Sequence, residues 1–275
     1  EDVTRATLAF VHIPREAVIA DVRPLLDDLR AEQADLRGIV EGSDLSAATP
    51  ATGWDVRDSL SHLAGTDVEA TLSMTDPDAF VAKLPSVGAD IDGFLNRQII
   101  ERRGFGQAEL IADWQQGFEA MLAAFVALPA GIKLPWYGPP MNPASFATAR
   151  LMEYWAHGQD IADGLSVDRV PTSRLRHICH LGYRTRGFSY VNRGLPVPTD
   201  EVRVELAAPD GTTWTYGDDS ASERVTGSAH DFCLLVTQRR HRDDLALVAQ
   251  GPLADEWLSI AQCFARPPGP GRAKS

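Results

Sequence analysis

Glu153-Tyr154-Trp155-Ala156-His157 places a carboxylate and an imidazole four residues apart. In an α-helix that spacing puts both side chains on one face, one turn apart. An oxygen and a nitrogen donor so placed can share a divalent cation if another element brings at least one more ligand. The segment Trp54-Asp55-Val56-Arg57-Asp58-Ser59-Leu60-Ser61-His62-Leu63-Ala64 offers one. Asp55 reads as the N-cap or first-turn acid of a helix running from Val56 to about Met74. Val56, Leu60 and Leu63 mark its apolar side, and His62 beside Leu63 faces the same interior. Two histidines and one carboxylate on facing helices leave metal positions open, which suits catalysis better than a closed structural site. Taken singly, the same residues also fit a solvated helix-face charge pair and a packed or surface histidine.

Working outward, hydrophobic periodicity predicts a helical first half. Val18, Ile19, Val22, Leu25, Leu26, Leu29 and Leu36 recur at three- and four-residue steps between Pro14 and Gly42. Residues 43–52 read as a loop, 76–85 as a short helix or turn, and 91–103 as a helix ended by Gly104 and Gly106. Residues 107–128 form an amphipathic helix, 129–143 a Pro/Gly-stiffened loop carrying Trp136-Tyr137, and 144–165 the helix of Glu153 and His157. This order predicts an antiparallel helical bundle. Composition then shifts. One helix is expected over 174–192, strands over 202–206, 212–216, 223–227 and 245–249, and helices over 229–237 and 252–264, with Pro209-Asp210-Gly211 as a hairpin turn. The fold class is α+β: a four-helix bundle over 1–166, a small α/β domain over 167–266, and a disordered polar tail over 267–275.

The 275 residues are 44% hydrophobic and 23% charged, which marks a globular chain. A formal net charge of -12 argues against nucleic acid and anionic membranes as partners and leaves a small-molecule substrate. No apolar run is long enough to cross a bilayer. Cys179, Cys233 and Cys263 are odd in number and lack a C-x-x-C pair, so they read as core residues in a reducing, cytoplasmic setting. No dinucleotide, P-loop, G-x-S-x-G or H-E-x-x-H signature is present.

Beyond the three candidate ligands, Asp160 shares a helix face with His157 and could orient its imidazole; a solvated carboxylate is an equal reading. His177 and His180 read as ordinary helix residues. Arg239-Arg240-His241-Arg242 reads as a solvated basic face, or as the holder of a substrate carboxylate through charge-assisted hydrogen bonds. Trp136-Tyr137 reads as interhelical packing, with a pocket wall over the metal as the functional alternative, and Trp54 and Trp155 share that ambiguity.

Three stretches carry a resemblance: Trp54-x-x-Arg57-Asp58-x-x-x-His62-Leu63-Ala64, Glu153-x-x-x-His157-x-x-Asp160, and Val225-x-Gly227-x-Ala229-x-Asp231-Phe232. In their order they resemble the DinB-like superfamily and, within it, the mycothiol-dependent maleylpyruvate isomerase-like proteins of actinobacteria. The resemblance implies a DinB four-helix bundle before a small α/β domain, and a metal held by His62, Glu153 and His157. It implies a thiol that adds to the substrate's double bond and leaves after the bond rotates, assisted by a C-terminal arginine, here Arg239 or Arg240. The expectation is a divalent-metal-dependent isomerase or S-transferase acting on a small unsaturated carboxylate. Zinc, or else iron or nickel, would be the metal, and mycothiol or another small thiol the cosubstrate. A thiol-independent metal hydrolase, lyase or dehydratase is the first alternative, and a non-catalytic metal-binding module the second.

Overall fold

The computed structural model describes residues 22–274. The expected helical residues 14–21 and the tail residue Ser275 lie outside the described residues. Four long helices build the bundle: α1 (Arg23–Val40), α2 (Val56–Thr75), α5 (Gln107–Ala127) and α6 (Pro143–Gly164). Two shorter helices, α3 (Pro77–Ala89) and α4 (Ile91–Arg102), form an excursion between α2 and α5. The segment expected as a short helix or turn is a helix that extends through Pro85 to Ala89, and Asp76 caps its start by accepting from Ala79 N at 3.0 Å.

Asp55 caps α2 as its position predicts. Its carboxylate accepts from Asp58 N at 2.8 Å, and the Asp58 carboxylate faces Asp55 N in return. This helix is buried almost all round, against α5, α6, α3 and α4. Its small polar residues Ser59, Ser61, Thr66 and Ser73 allow that close approach. Leu29, Leu36, Leu60, Leu63, Trp114, Phe118, Phe125, Phe146 and Leu151 fill the interior between the long helices. Burying side chains of this size contributes roughly 1.5–3 kcal/mol each.

A polar cross-link runs through this core. Arg150 on α6 donates to Thr66 Oγ1 and Asp67 Oδ1 on α2, both at 2.9 Å. Tyr154 donates to the other Asp67 oxygen, and Trp114 Nε1 on α5 donates to Tyr154 Oη at 2.8 Å. Burial raises the Asp67 carboxyl to about 6, although the Arg150 guanidinium pulls against it. The network ties three helices together one turn from His62 and Glu153.

Helices α7 (Leu175–Arg184) and α8 (Arg186–Val191) follow. They correct the single helix expected over 174–192. The ladder breaks at Thr185, whose hydroxyl and backbone N–H both donate to Leu181 O. Next come β1 (Val202–Ala207), β2 (Thr213–Tyr216), β3 (Glu223–Ser228), α9 (Ala229–Val236), β4 (Val248–Gln250) and α10 (Pro252–Ile260). The sheet order is β2-β1-β3-β4. The β1–β2 hairpin turns at Gly211, whose φ of 84° only glycine adopts without strain. β3 pairs parallel to β1 in the register Val204 to Val225. The expected strand over 245–249 begins only at Val248, and the helix expected to reach Phe264 ends at Ile260. Val202, Val204 and Leu206 point inward, toward α9 and its neighbours. Cys179, Cys233 and Cys263 are buried free thiols, and the first two bring their sulfurs to 3.5 Å.

Residues 267–274, expected as a disordered tail, run back to the bundle. Arg272 donates to Asp160 Oδ1 at 2.5 Å and to Pro50 O. A cationic side chain that reaches a buried carboxylate gives this polar segment a fixed partner.

The buried pair predicts an asymmetry between two variants. Asp67→Ala strands a guanidinium that cannot lose its charge, and should cost about 3–5 kcal/mol in urea denaturation. Arg150→Met leaves a carboxylate already close to protonation, and should cost clearly less. Equal losses would contradict the charge assignment.

Candidate metal site

α2 and α6 bring His62, Glu153 and His157 together. One ligand atom from each lies within 4.8 Å of the other two. His62 Nε2 is 3.6 Å and His157 Nε2 is 3.4 Å from Glu153 Oε2. These spacings are long for hydrogen bonds. They are close to the ~3.3 Å edge of a tetrahedron whose metal bonds are about 2.0–2.1 Å, so each imidazole could share a cation with Glu153, the third pair of donors lying within 4.8 Å.

The ring positions follow from local packing. Trp54 covers both imidazoles, at 5.8 Å and near-parallel to His157 and at 5.3 Å from His62. Its loop is closed by Thr49, whose backbone N–H and hydroxyl both donate to Trp54 O at 2.9 Å. Gly53, at φ 79°, makes the tight turn before it. The imidazoles are nearly sequestered while 27% of the Glu153 side chain remains exposed, so the approach is from the carboxylate's side.

Electrostatics keep the set ready for a cation. Burial, with the adjacent His157, pushes His62 down to about 4, against the pull of Glu153. Burial raises Glu153, but the two imidazoles facing its carboxylate, His157 and His62, outweigh it and hold the carboxyl well below its usual range. A neutral imidazole and an ionised carboxylate are the forms that bind metal.

Asp160, 1% exposed, places Oδ2 3.6 Å from His157 Nδ1. Arg239 Nε lies 3.1 Å from that oxygen and also donates to Ala156 O at 3.0 Å. Arg240 turns away and forks onto Asp163, with both terminal nitrogens at 2.6–2.7 Å. Both candidate arginines therefore pair with carboxylates of α6, Arg239 with Asp160 beside His157 and Arg240 with Asp163 farther off. His177 is engaged elsewhere, 2.8 Å from Asp28. Trp136 packs between Phe80 and Phe146, and Tyr137 donates to Glu69, so this pair lies between helices and Trp54 covers the histidines. Sequence reasoning missed Arg272 and the Arg150–Asp67 network. A charged Arg150 in the apolar stretch before Glu153 was the available signal for the network; Arg272 had none.

The mycothiol maleylpyruvate isomerase N-terminal domain family matches residues 26–162, from α1 to the end of the ligand-bearing stretch of α6. A family described as wyosine base formation matches residues 198–250. Uncharacterized proteins of Mycobacterium tuberculosis, from strains CDC 1551 and H37Rv, are each 45% identical over 257 residues, covering 92% of this chain and 100% of the relative. The crystal structure of the mycothiol-dependent maleylpyruvate isomerase superposes with a TM-score of 0.57 at 13% identity, covering 84% of this chain and 95% of that one. A histidine-to-alanine mutant of that enzyme gives 0.56. At this identity the likeness speaks to the fold.

The depressed His62 predicts a pH dependence. The unfolded chain takes up a proton near the ordinary imidazole value of 6.5, whereas folded His62 does so only near 4. At His62 the unfolded state binds more protons in that window, so its contribution destabilises the metal-free protein as pH falls, while Asp67, raised to about 6 in the fold, contributes in the opposite sense. Relative to His62→Gln, the wild type should therefore lose on the order of 3 kcal/mol across the window. Denaturation midpoints at pH 7, 5.5 and 4 read the difference.

Proposed function

Because the chain belongs to the mycothiol maleylpyruvate isomerase N-terminal domain family, which is DinB-like, we propose that it is a divalent-metal-dependent enzyme of thiol-linked isomerase or S-transferase type. Its substrate would be a small unsaturated carboxylate. The supporting observation is the convergence of His62 Nε2, His157 Nε2 and Glu153 Oε2 at spacings too long for hydrogen bonding and right for a shared cation. Zinc fits this donor set, as do iron and nickel.

A bound cation would supply Lewis acidity, lowering the pKa of a thiol beside it toward neutrality. The chain's own residues do the rest. Glu153 offsets one of the cation's two charges and the neutral imidazoles none, so the site keeps one positive charge that favours a thiolate or carboxylate at the open side. Trp54 shields the imidazole faces from water. Asp160 sits behind His157, its Oδ2 3.6 Å from Nδ1, where a small closure on metal binding would let it accept from the ring, and Arg239 stands beside that carboxylate. In this reading Arg239 is the arginine a substrate carboxylate meets, and Arg240 serves the fold through Asp163.

His157→Ala should abolish stoichiometric binding of Co2+ or Zn2+, measured by elemental analysis and cobalt absorption, while His177→Ala binds as the wild type does. Cobalt-loaded protein titrated with a small thiol should develop a thiolate-to-metal charge-transfer band. Metal binding without that band would remove the thiol from the mechanism and favour a metal-activated water. Full metal retention in His157→Ala would end the metal reading altogether. Arg239→Ala should raise KM for a carboxylate substrate by about 10-fold or more, the effect of losing one charge-assisted contact, with metal content unchanged.

A further inference from the structure

On the face of α6 opposite the candidate ligands lies a cleft of about 290 Å³ between α1, α6, the 168–174 connector and α9. Trp155 and Gln159 sit two residues beyond Glu153 and His157, about half a helical turn round, so this cleft and the metal site do not share side chains. Its walls combine the Trp155 indole with His230, Gln159 and a set of charges.

The charges decide what could bind. Glu32 is 1% exposed and takes both Arg169 and Arg174, the latter through Nε at 2.8 Å. Arg174 also reaches Asp35. The two guanidiniums are thus matched by two carboxylates within the wall. Asp168, exposed at the rim, makes no ion pair among the described residues and leaves one negative charge uncompensated. A carboxylate or phosphate ligand would find no free positive charge here.

The polar atoms point the same way. Gln159 is 7% exposed, and its Nε2 is committed to Asp163 Oδ1 at 2.9 Å. Its Oε1 is buried without a hydrogen-bond partner. A buried acceptor left unpaired is costly, so it calls for a donor. His230 stands edge-on to Trp155 at 6.1 Å, and neither ring nitrogen makes a hydrogen bond to the described residues. Burial favours its neutral form, which offers one acceptor nitrogen. The indole wall adds a surface that attracts cations, as the Arg169 guanidinium 6.0 Å from it already shows.

We propose that this cleft is a second ligand site, for a small organic cation bearing a protonated amine. The ammonium would donate to Gln159 Oε1 and to His230, with Asp168 supplying charge and the Trp155 side accepting the ligand's flat or apolar part. It lies apart from the reaction proposed above and does not depend on it.

The test is calorimetric titration of the full chain with three probes of one shape: 2-phenylethylamine, its neutral analogue 2-phenylethanol, and phenylacetate. The amine should bind, the alcohol at least 10-fold more weakly, and the acid not at all. Gln159→Leu and the surface variant Asp168→Asn should each weaken the amine about 5- to 10-fold, while His62→Ala leaves its affinity unchanged. Asp168→Asn keeps the test decisive if Gln159→Leu fails to fold. Silence with all three probes at millimolar concentration, equal binding of amine and alcohol, or amine binding untouched by Asp168→Asn would overturn the proposal.

Discussion

The packing of α2 against α6 is the constraint on which the rest depends. These helices carry the three candidate ligands, and their relative register decides whether the imidazoles meet the carboxylate at all. Apolar side chains alone tolerate small slips between helices. The Arg150–Asp67 pair does not, because any slip would leave a charge buried without its partner. Thr66 accepts from Arg150 and donates to His62 O, so the same network reaches the ligand turn directly. The residues that cost most to bury thus lie beside those that need the most accurate placement.

The second domain contributes to the site through arginine rather than through ligands. Arg239 and Arg240 stand side by side in sequence, just past α9, yet face different carboxylates of α6. Their Asp160 and Asp163 partners are three residues apart on one helix face, so neighbouring arginines on an irregular segment divide naturally between them. Arg272 approaches Asp160 from the C-terminal segment and also reaches Pro50 in the loop that ends at Trp54. Three separate parts of the chain therefore converge behind His157, while the Nε2 side of that ring faces Glu153.

Helices with strong periodicity were legible from sequence to within a residue or two: α2, α5 and α6 begin and end close to where their caps and apolar spacing place them. Three features were not. The break between α7 and α8 at Thr185 leaves no mark on the apolar spacing, so hydrophobic periodicity could not show it. β3 runs parallel to β1, and strand direction is set by partners distant in sequence, whereas alternation reports only which face is buried. Arg272 sits in a Pro/Gly-rich stretch whose composition reads as unstructured, because composition carries no information about a buried carboxylate elsewhere.

The sequence by itself determined the helical first half, the shift to a mixed second half, the acidic surface and the pairing of Glu153 with His157, since these follow from spacing and composition along one segment. Which histidine completes that pair, which of two adjacent arginines stands beside Asp160, and which tryptophan covers the imidazoles were decided only in three dimensions. Each depends on the distance between segments far apart in the chain, and that distance is fixed by core packing and by the need to pair every buried charge.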